Sequence, residues 1–201
     1  VLQMLYWTII FPKNLFDLNT FQLFSNTIYL VFLSSIVLVV FSFISNYGNR
    51  VTKSKFLNFL TTFSITGYAI PGVILAVAFI TFIAWFDNTF VKAFEFNSIK
   101  KIFIGSIFGL VIVYFIRFYS LAYNGLKTGY ERINRSIDES SYLLGYSKIK
   151  TFLGIHVPYL KNSVFLIGIL ITIEVIKELP ITLILRPFNF ETFATTAYIF
   201  A

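Results

Sequence analysis

Cysteine is absent from the 201 residues, so neither a disulfide framework nor a thiolate metal site is available. Histidine occurs once, at His156, which removes H-x-x-x-H and H-E-x-x-H pairs and the metal centres they build. No G-x-x-x-x-G-K-S/T run is present to cradle nucleotide phosphates. Charge is scarce as well: 12% of the residues are Asp, Glu, Lys or Arg, where soluble domains carry roughly 25%. Apolar residues fill the gap, at 57% of the chain and a mean hydropathy of +0.80. This is the composition of an integral membrane protein, all-α and polytopic. The formal charge of +7 comes from Lys and Arg gathered in loops between apolar runs, the pattern of a cytoplasmic-face excess and not of a nucleic-acid footprint.

The chain opens at Val1 with no charged n-region or cleavage site, so it is not a signal peptide, and incompleteness is expected at both ends. Val1 to Phe11 is apolar and aromatic but about 11 residues long, short of the roughly 20 that cross a bilayer. It reads as a partial N-terminal span, or as an interfacial segment with Tyr6 and Trp7 at headgroup level. Four complete spans are expected after it. The first is Ser25 to Ile44, followed by a short basic loop of Arg50, Lys53 and Lys55. The second is about Ser64 to Phe86, where G-Y-A-I-P-G, Gly67 to Gly72, puts Pro71 and two glycines inside apolar sequence. A helix kink or a close-packing site is the plain reading of that run, because neighbouring helices can cover the freed backbone. A mixed loop, Asp87 to Lys101, leads to a third span of about Ile102 to Tyr123, whose Arg117 is expected to snorkel to the interface. The fourth runs from near Ser163 to about Leu185.

The fourth span carries Glu174, Lys177 and Glu178, and ionisable groups at membrane depth are costly enough to suggest a function. Glu174 falls roughly 16 Å along the helix, near the bilayer middle. Helical spacing puts it on one face with Glu178 and within reach of Lys177. Two readings follow: a carboxylate-lined cation path, or an internal salt bridge that joins helices or caps the break at Pro180.

Between the third and fourth spans lies the one long polar interval, Asp138 to Pro158. Ser136 and Glu139 have capping-box spacing, so a helix is expected from about Ile137. Gly145 suits a helix C-terminus, and Lys148 and Lys150 begin a second short helix that Pro158 closes. His156 reads as a surface loop residue, not a metal ligand. Alternating sides, Lys and Arg number nine on this loop's side (three after the first span, six from Lys127 to Lys161) and five opposite (Lys13, three in Asp87 to Lys101, and Arg186). The excess belongs in the cytoplasm.

The spacing Glu139, Ser140, Ser141, x3, Gly145, x9, Ile155, x, Pro158 resembles the E-A-A-x3-G-x9-I-x-L-P loop of bacterial ABC-importer permeases. Ser140 and Ser141 stand where that family has Ala, and Val157 where it has Leu. The run Lys177 to Ala194, K-E-L-P-I-T-L-I-L-R-P-F-N-F-E-T-F-A, is similar to the K-E-L-P-x-T-L-x-L-R-P-x-x-F-x-T-L-A of iron(III) importer permeases, with Phe193 for Leu. Gly67 to Gly72 resembles their Y-A-x-P-G stretch, which opens a pore-lining helix. Thiamine and polyamine permeases are close relatives of that branch.

The resemblance implies a single type I ABC-importer permease domain over residues 1–201, with residues 137–158 as a cytoplasmic coupling loop, in a bacterial inner membrane. It implies partners: a cytoplasmic ABC ATPase dimer that holds ATP and Mg, an extracytoplasmic solute-binding protein that captures substrate, and a second permease half or subunit. This chain would hold no cofactor, no metal and no catalytic residue. Glu139, Ser140, Ser141, Gly145, Ile155 and Pro158 would couple to the ATPase, and Pro71, Gly72, Glu174, Lys177, Glu178 and Pro180 would serve the translocation path or helix packing. Two other classes are weighed beside it. A secondary transporter or channel would use Glu174 and Glu178 as a relay without ATP, and an intramembrane enzyme would need a cluster of His, Asp or Cys at one depth, where the chain offers only the Glu174, Lys177, Glu178 group.

Overall fold

A computed structural model describes residues 18–52, 54–93 and 105–199. The expected partial span at Val1 to Phe11 and most of the loop Asp87 to Lys101 lie outside the described residues. Every described element is helical, and no strand occurs among them. The elements are α1 (Leu18–Thr52), α2 (Lys55–Ile65) with a 3-10 turn (Thr66–Ala69), α3 (Gly72–Ala93), α4 (Ile107–Glu131), α5 (Arg135–Leu143), α6 (Lys148–Tyr159), α7 (Lys161–Lys177), α8 (Pro180–Leu185) and α9 (Phe193–Ile199). The middle of α6, Phe152–His156, is wound as a π-turn.

Two of these helices, α1 and α4, are long and apolar enough to cross a membrane, and up to four spans result if each bent pair, α2 with α3 and α6 with α7, counts as one. The chain is therefore a candidate multi-pass membrane protein with two to four spans. In α1, Leu30, Val31, Ser34, Leu38, Ser42 and Asn46 are buried at three- and four-residue spacing, while Phe32, Ile36, Val40 and Ile44 are apolar yet exposed. A helix apolar on all sides but packed on one is what a lipid environment allows. Helix α4 forms the centre: Leu110, Val113, Tyr114, Phe118, Ala122 and Leu126 have no exposed surface.

The paired ends give the directions. Phe41 stacks edge-on with Phe115 at 5.1 Å, Asn46 Nδ2 donates to Tyr123 O at 3.1 Å, and Arg50 reaches Tyr130 O, so α1 and α4 run parallel. The chain between them must return across the bundle, and α2 and α3 carry it there. Likewise α7 begins beside the ends of α1 and α4, whereas Asn26, near the start of α1, donates to Glu191 O at 3.0 Å. Helices α7 and α8 together therefore make the opposite traverse.

Several expectations are corrected. The first span extends well beyond Ser25 to Ile44, and Arg50 belongs to its last turn, not to a loop. The second is not one helix over Ser64 to Phe86: α2 and α3 meet at 117°, because Pro71 lacks an N–H and the backbone leaves the helical region at Ile70. The third continues to Glu131. The fourth stops at Lys177 and resumes at Pro180, with Glu178 extended between them.

Candidate functional site

Two sites emerge, a clamped loop at one end of the bundle and a polar knot at its two helix breaks. The loop's first helix begins two residues earlier than the capping-box spacing implies. Asn134 is the cap, its Oδ1 accepting from Ser136 N at 3.3 Å, so the helix starts at Arg135 and Ser136 lies inside it. Helix α5 ends on Gly145 at φ +80°, with Gly145 N donating to Tyr142 O and Tyr146 N to Ser141 O, both at 3.0 Å. That doubly bonded terminus needs a residue free of a β-carbon. Ser147 Oγ then caps α6. Pro158 does not close this second helix: it lies in the final turn, and the chain turns 68° into α7 at Leu160.

The two short helices are held together from inside. Ser141 Oγ meets Thr151 Oγ1 at 2.9 Å, both buried, and this close contact is why position 141 must be small. Asp138 is bonded at both oxygens. Arg50 Nε donates to Oδ2 at 2.6 Å, and His156 Nε2 meets Oδ1 at 2.8 Å. The Arg50 guanidinium also donates to Ile133 O at 2.9 Å and Asn134 O at 3.1 Å, tying the turn between α4 and α5 to α1. Tyr47 donates to Lys148 O at 2.7 Å. Helix α1 thus grips the loop through Tyr47 and Arg50.

His156 is not a surface residue. Its side chain has no exposed surface and lies between the rings of Tyr47, at 5.1 Å, and Tyr130, at 5.4 Å. Burial pushes its pKa below the ordinary value, against the opposing pull of Asp138. A neutral ring donating from Nε2 to Asp138 leaves Nδ1 as a bare acceptor, and Nδ1 has no partner.

Outside the clamp the loop is apolar and open. Leu143 is 89% exposed, Leu144 77% and Ile149 72%, beside a depression of about 270 Å³ lined by Ser136, Ile137, Ser140, Leu144, Tyr146 and Ile155. Glu139, Ser140 and Pro158 are exposed, Ile155 is half-buried and Ser141 is buried.

In the knot, Arg117 does not snorkel. Its Nη1 donates to Ile70 O at 2.6 Å, and its Nε lies 3.2 Å from Glu178 Oε2. The guanidinium thus joins the corner between α2 and α3 to the break between α7 and α8. Thr182 Oγ1 donates to Glu178 O at 2.6 Å and hydrogen-bonds the buried Tyr114 hydroxyl, so side chains occupy polar groups that the broken helices free. Glu178 packs against the α-carbon of buried Gly72, with Pro71 exposed and Pro180 half-buried beside it. Glu174 takes Lys177 at 2.7 Å. The three ionisable residues of the fourth span therefore fall in two separate pairs, Glu174 with Lys177 and Glu178 with Arg117. Among the described residues no group of three His, Asp or Glu could hold a metal ion.

Residue spacing missed Arg50, Asp138, Tyr114 and Thr182, all brought in by tertiary contact. Arg117, an isolated charge in apolar sequence, and Glu178, one of the charges at the break before Pro180, were the available signal for the knot. No protein-family model matches the chain, and no curated protein matches it.

Proposed function

We propose that this chain is the membrane-spanning permease subunit of an ATP-driven importer of the type I fold in a bacterial inner membrane, with iron(III) as its substrate. The reading is carried by one observation: a bent pair of short helices offers Leu143, Leu144 and Ile149 to the outside while Arg50 and Asp138 fasten it to α1. Such a knob can be gripped by a second protein without coming loose from the bundle. The signature spacing through Glu139, Gly145 and Pro158 and the run Lys177 to Ala194 supply the family and the substrate.

In this mechanism a solute-binding protein delivers substrate at the far end, and a separate ATPase dimer, binding ATP and Mg, moves the loop. The movement enters α1 through Arg50 as well as α7 through Leu160. A second permease half completes the path, and the access alternates between the two sides. No residue of this chain makes or breaks a bond. The Arg117 to Glu178 link makes the two helix breaks move as one unit.

Uptake of radiolabelled iron(III) by cells carrying the transporter, with and without its P-loop ATPase, tests the reading. Uptake is expected to vanish without the ATPase and to resist competition by thiamine and polyamines. Uptake that persists without the ATPase and collapses with an uncoupler would favour the relay through Glu174 and Glu178 instead. Competition by thiamine or a polyamine would keep the importer and change its cargo.

A further inference from the structure

A pocket of about 660 Å³ opens between the loop-side ends of α1 and α4 and helix α2. Lys127, Arg132 and Arg135 line it, and none has an ion-pair partner among the described residues. Arg50 also borders it but is taken up by Asp138. Among the described lining residues Glu131 is the one acid, so the three unpaired cations outnumber it. Asn49 stands on the wall, its Nδ2 donating to Thr61 Oγ1 of α2 and to the Tyr123 hydroxyl of α4, so α1 ties the two sides of the pocket together.

The neighbouring helix indicates the surroundings. Phe56, Phe59 and Phe63 of α2 are each more than 60% exposed, while the same helix turns Asn58 to the pocket and Thr61 to Asn49. Three phenylalanine rings facing outward beside a basic hollow give apolar contact and positive charge side by side. An anionic phospholipid has the complementary pattern, acyl chains next to a phosphate. Basic pockets between helices on the cytoplasmic face suit such headgroups.

We propose that this pocket binds the phosphate headgroup of an anionic phospholipid, with Lys127, Arg132 and Arg135 holding the phosphate and the α2 phenylalanines lying along the acyl chains. This site adjoins the clamped loop at Arg50, Asn134 and Arg135 but lies away from the exposed Leu143, Leu144 and Ile149, and it does not depend on the importer reading.

The test uses the purified full chain in nanodiscs of phosphatidylcholine alone or of an equal mixture with phosphatidylglycerol. It reads the thermal midpoint and the phosphatidylglycerol retained in native mass spectrometry. The chain is expected to gain stability in the mixture and to retain the anionic lipid. The variant K127Q/R132Q/R135Q is expected to match the parent in phosphatidylcholine, to lose the gain, and to retain lipid more weakly by on the order of a hundredfold at low salt. K148Q/K150Q/K161Q, with the same loss of charge outside the pocket, is expected to behave as the parent. Equal loss in both triple variants, or no difference between parent and K127Q/R132Q/R135Q, would overturn the site. Inorganic phosphate added to phosphatidylcholine discs is expected to give no gain, and a gain equal to that of phosphatidylglycerol would overturn the lipid assignment in favour of a soluble anion.

Discussion

A β-carbon on Gly72 would stand 2.6 Å from Glu178 Oε1, so the corner that starts α3 and the break that ends α7 are fitted to each other at van der Waals contact. Gly72→Ala is therefore expected to force the Glu178 carboxylate out of place and to destabilise the chain by about 1–3 kcal/mol, the usual cost of overpacking. Thermal unfolding in detergent measures it. Adding Glu178→Ala to the same chain is expected to remove the clash, which non-additivity in the double variant reveals.

Arg117 and Glu178 pair with each other beside Gly72, and Arg117 also donates to Ile70 O. Arg117→Met leaves a buried carboxylate uncompensated and is expected to cost about 3–5 kcal/mol. Arg117→Met with Glu178→Leu is expected to recover much of that loss, since apolar replacement of a buried pair is often close to neutral. A double-mutant cycle on the unfolding midpoint checks the sign.

Burial holds the His156 pKa below 6.5. Unfolding therefore exposes a group that binds a proton more readily than it does when folded, and the linkage relation makes stability fall as pH drops. The loss begins near the unfolded value and continues down to the folded one. Well above pH 6.5 both states are neutral and the residue contributes no slope. The chain is expected to show a lower midpoint at pH 5.5 than at pH 7.5, with the difference reduced in His156→Gln.

Gly145 sits at φ +80° with open space around it, so its requirement is conformational and not steric. Gly145→Val is expected to cost about 1–2 kcal/mol and to reorient Leu143 and Leu144 relative to α6. Under the importer reading, the chain stays in the membrane but ATP hydrolysis loses its stimulation by loaded binding protein. Stimulation at the parental level would count against a coupling role for the bend.

Much of this architecture could be read from local pattern. Uncharged runs separated by basic loops point to helices crossing a membrane, Gly145 marks the bend, and the three-residue spacing pairs Glu174 with Lys177. The rest depends on tertiary contact. Ser64 to Phe86 is uniformly apolar, so composition registers its length but not the corner at Pro71. Asn134 and Ser136 are both good caps, and Asn134 holds the position, its Oδ1 accepting from Ser136 N while Arg50 fixes its carbonyl and that of Ile133 to α1. His156 looks like a loop residue until α6 folds back on α5 and brings it to Asp138. Arg117 lies near enough to a span end for snorkelling, yet a carboxylate at its own depth is the better partner.

Because the chain has no cysteine, a single Leu144→Cys substitution, at a site 77% exposed, reports directly on where the clamped loop faces. A membrane-impermeant maleimide applied to right-side-out and to inside-out vesicles is the measurement. The account predicts labelling only in inside-out vesicles, and protection there when the partner ATPase is bound. Labelling from the outer side, or from neither side, would contradict it.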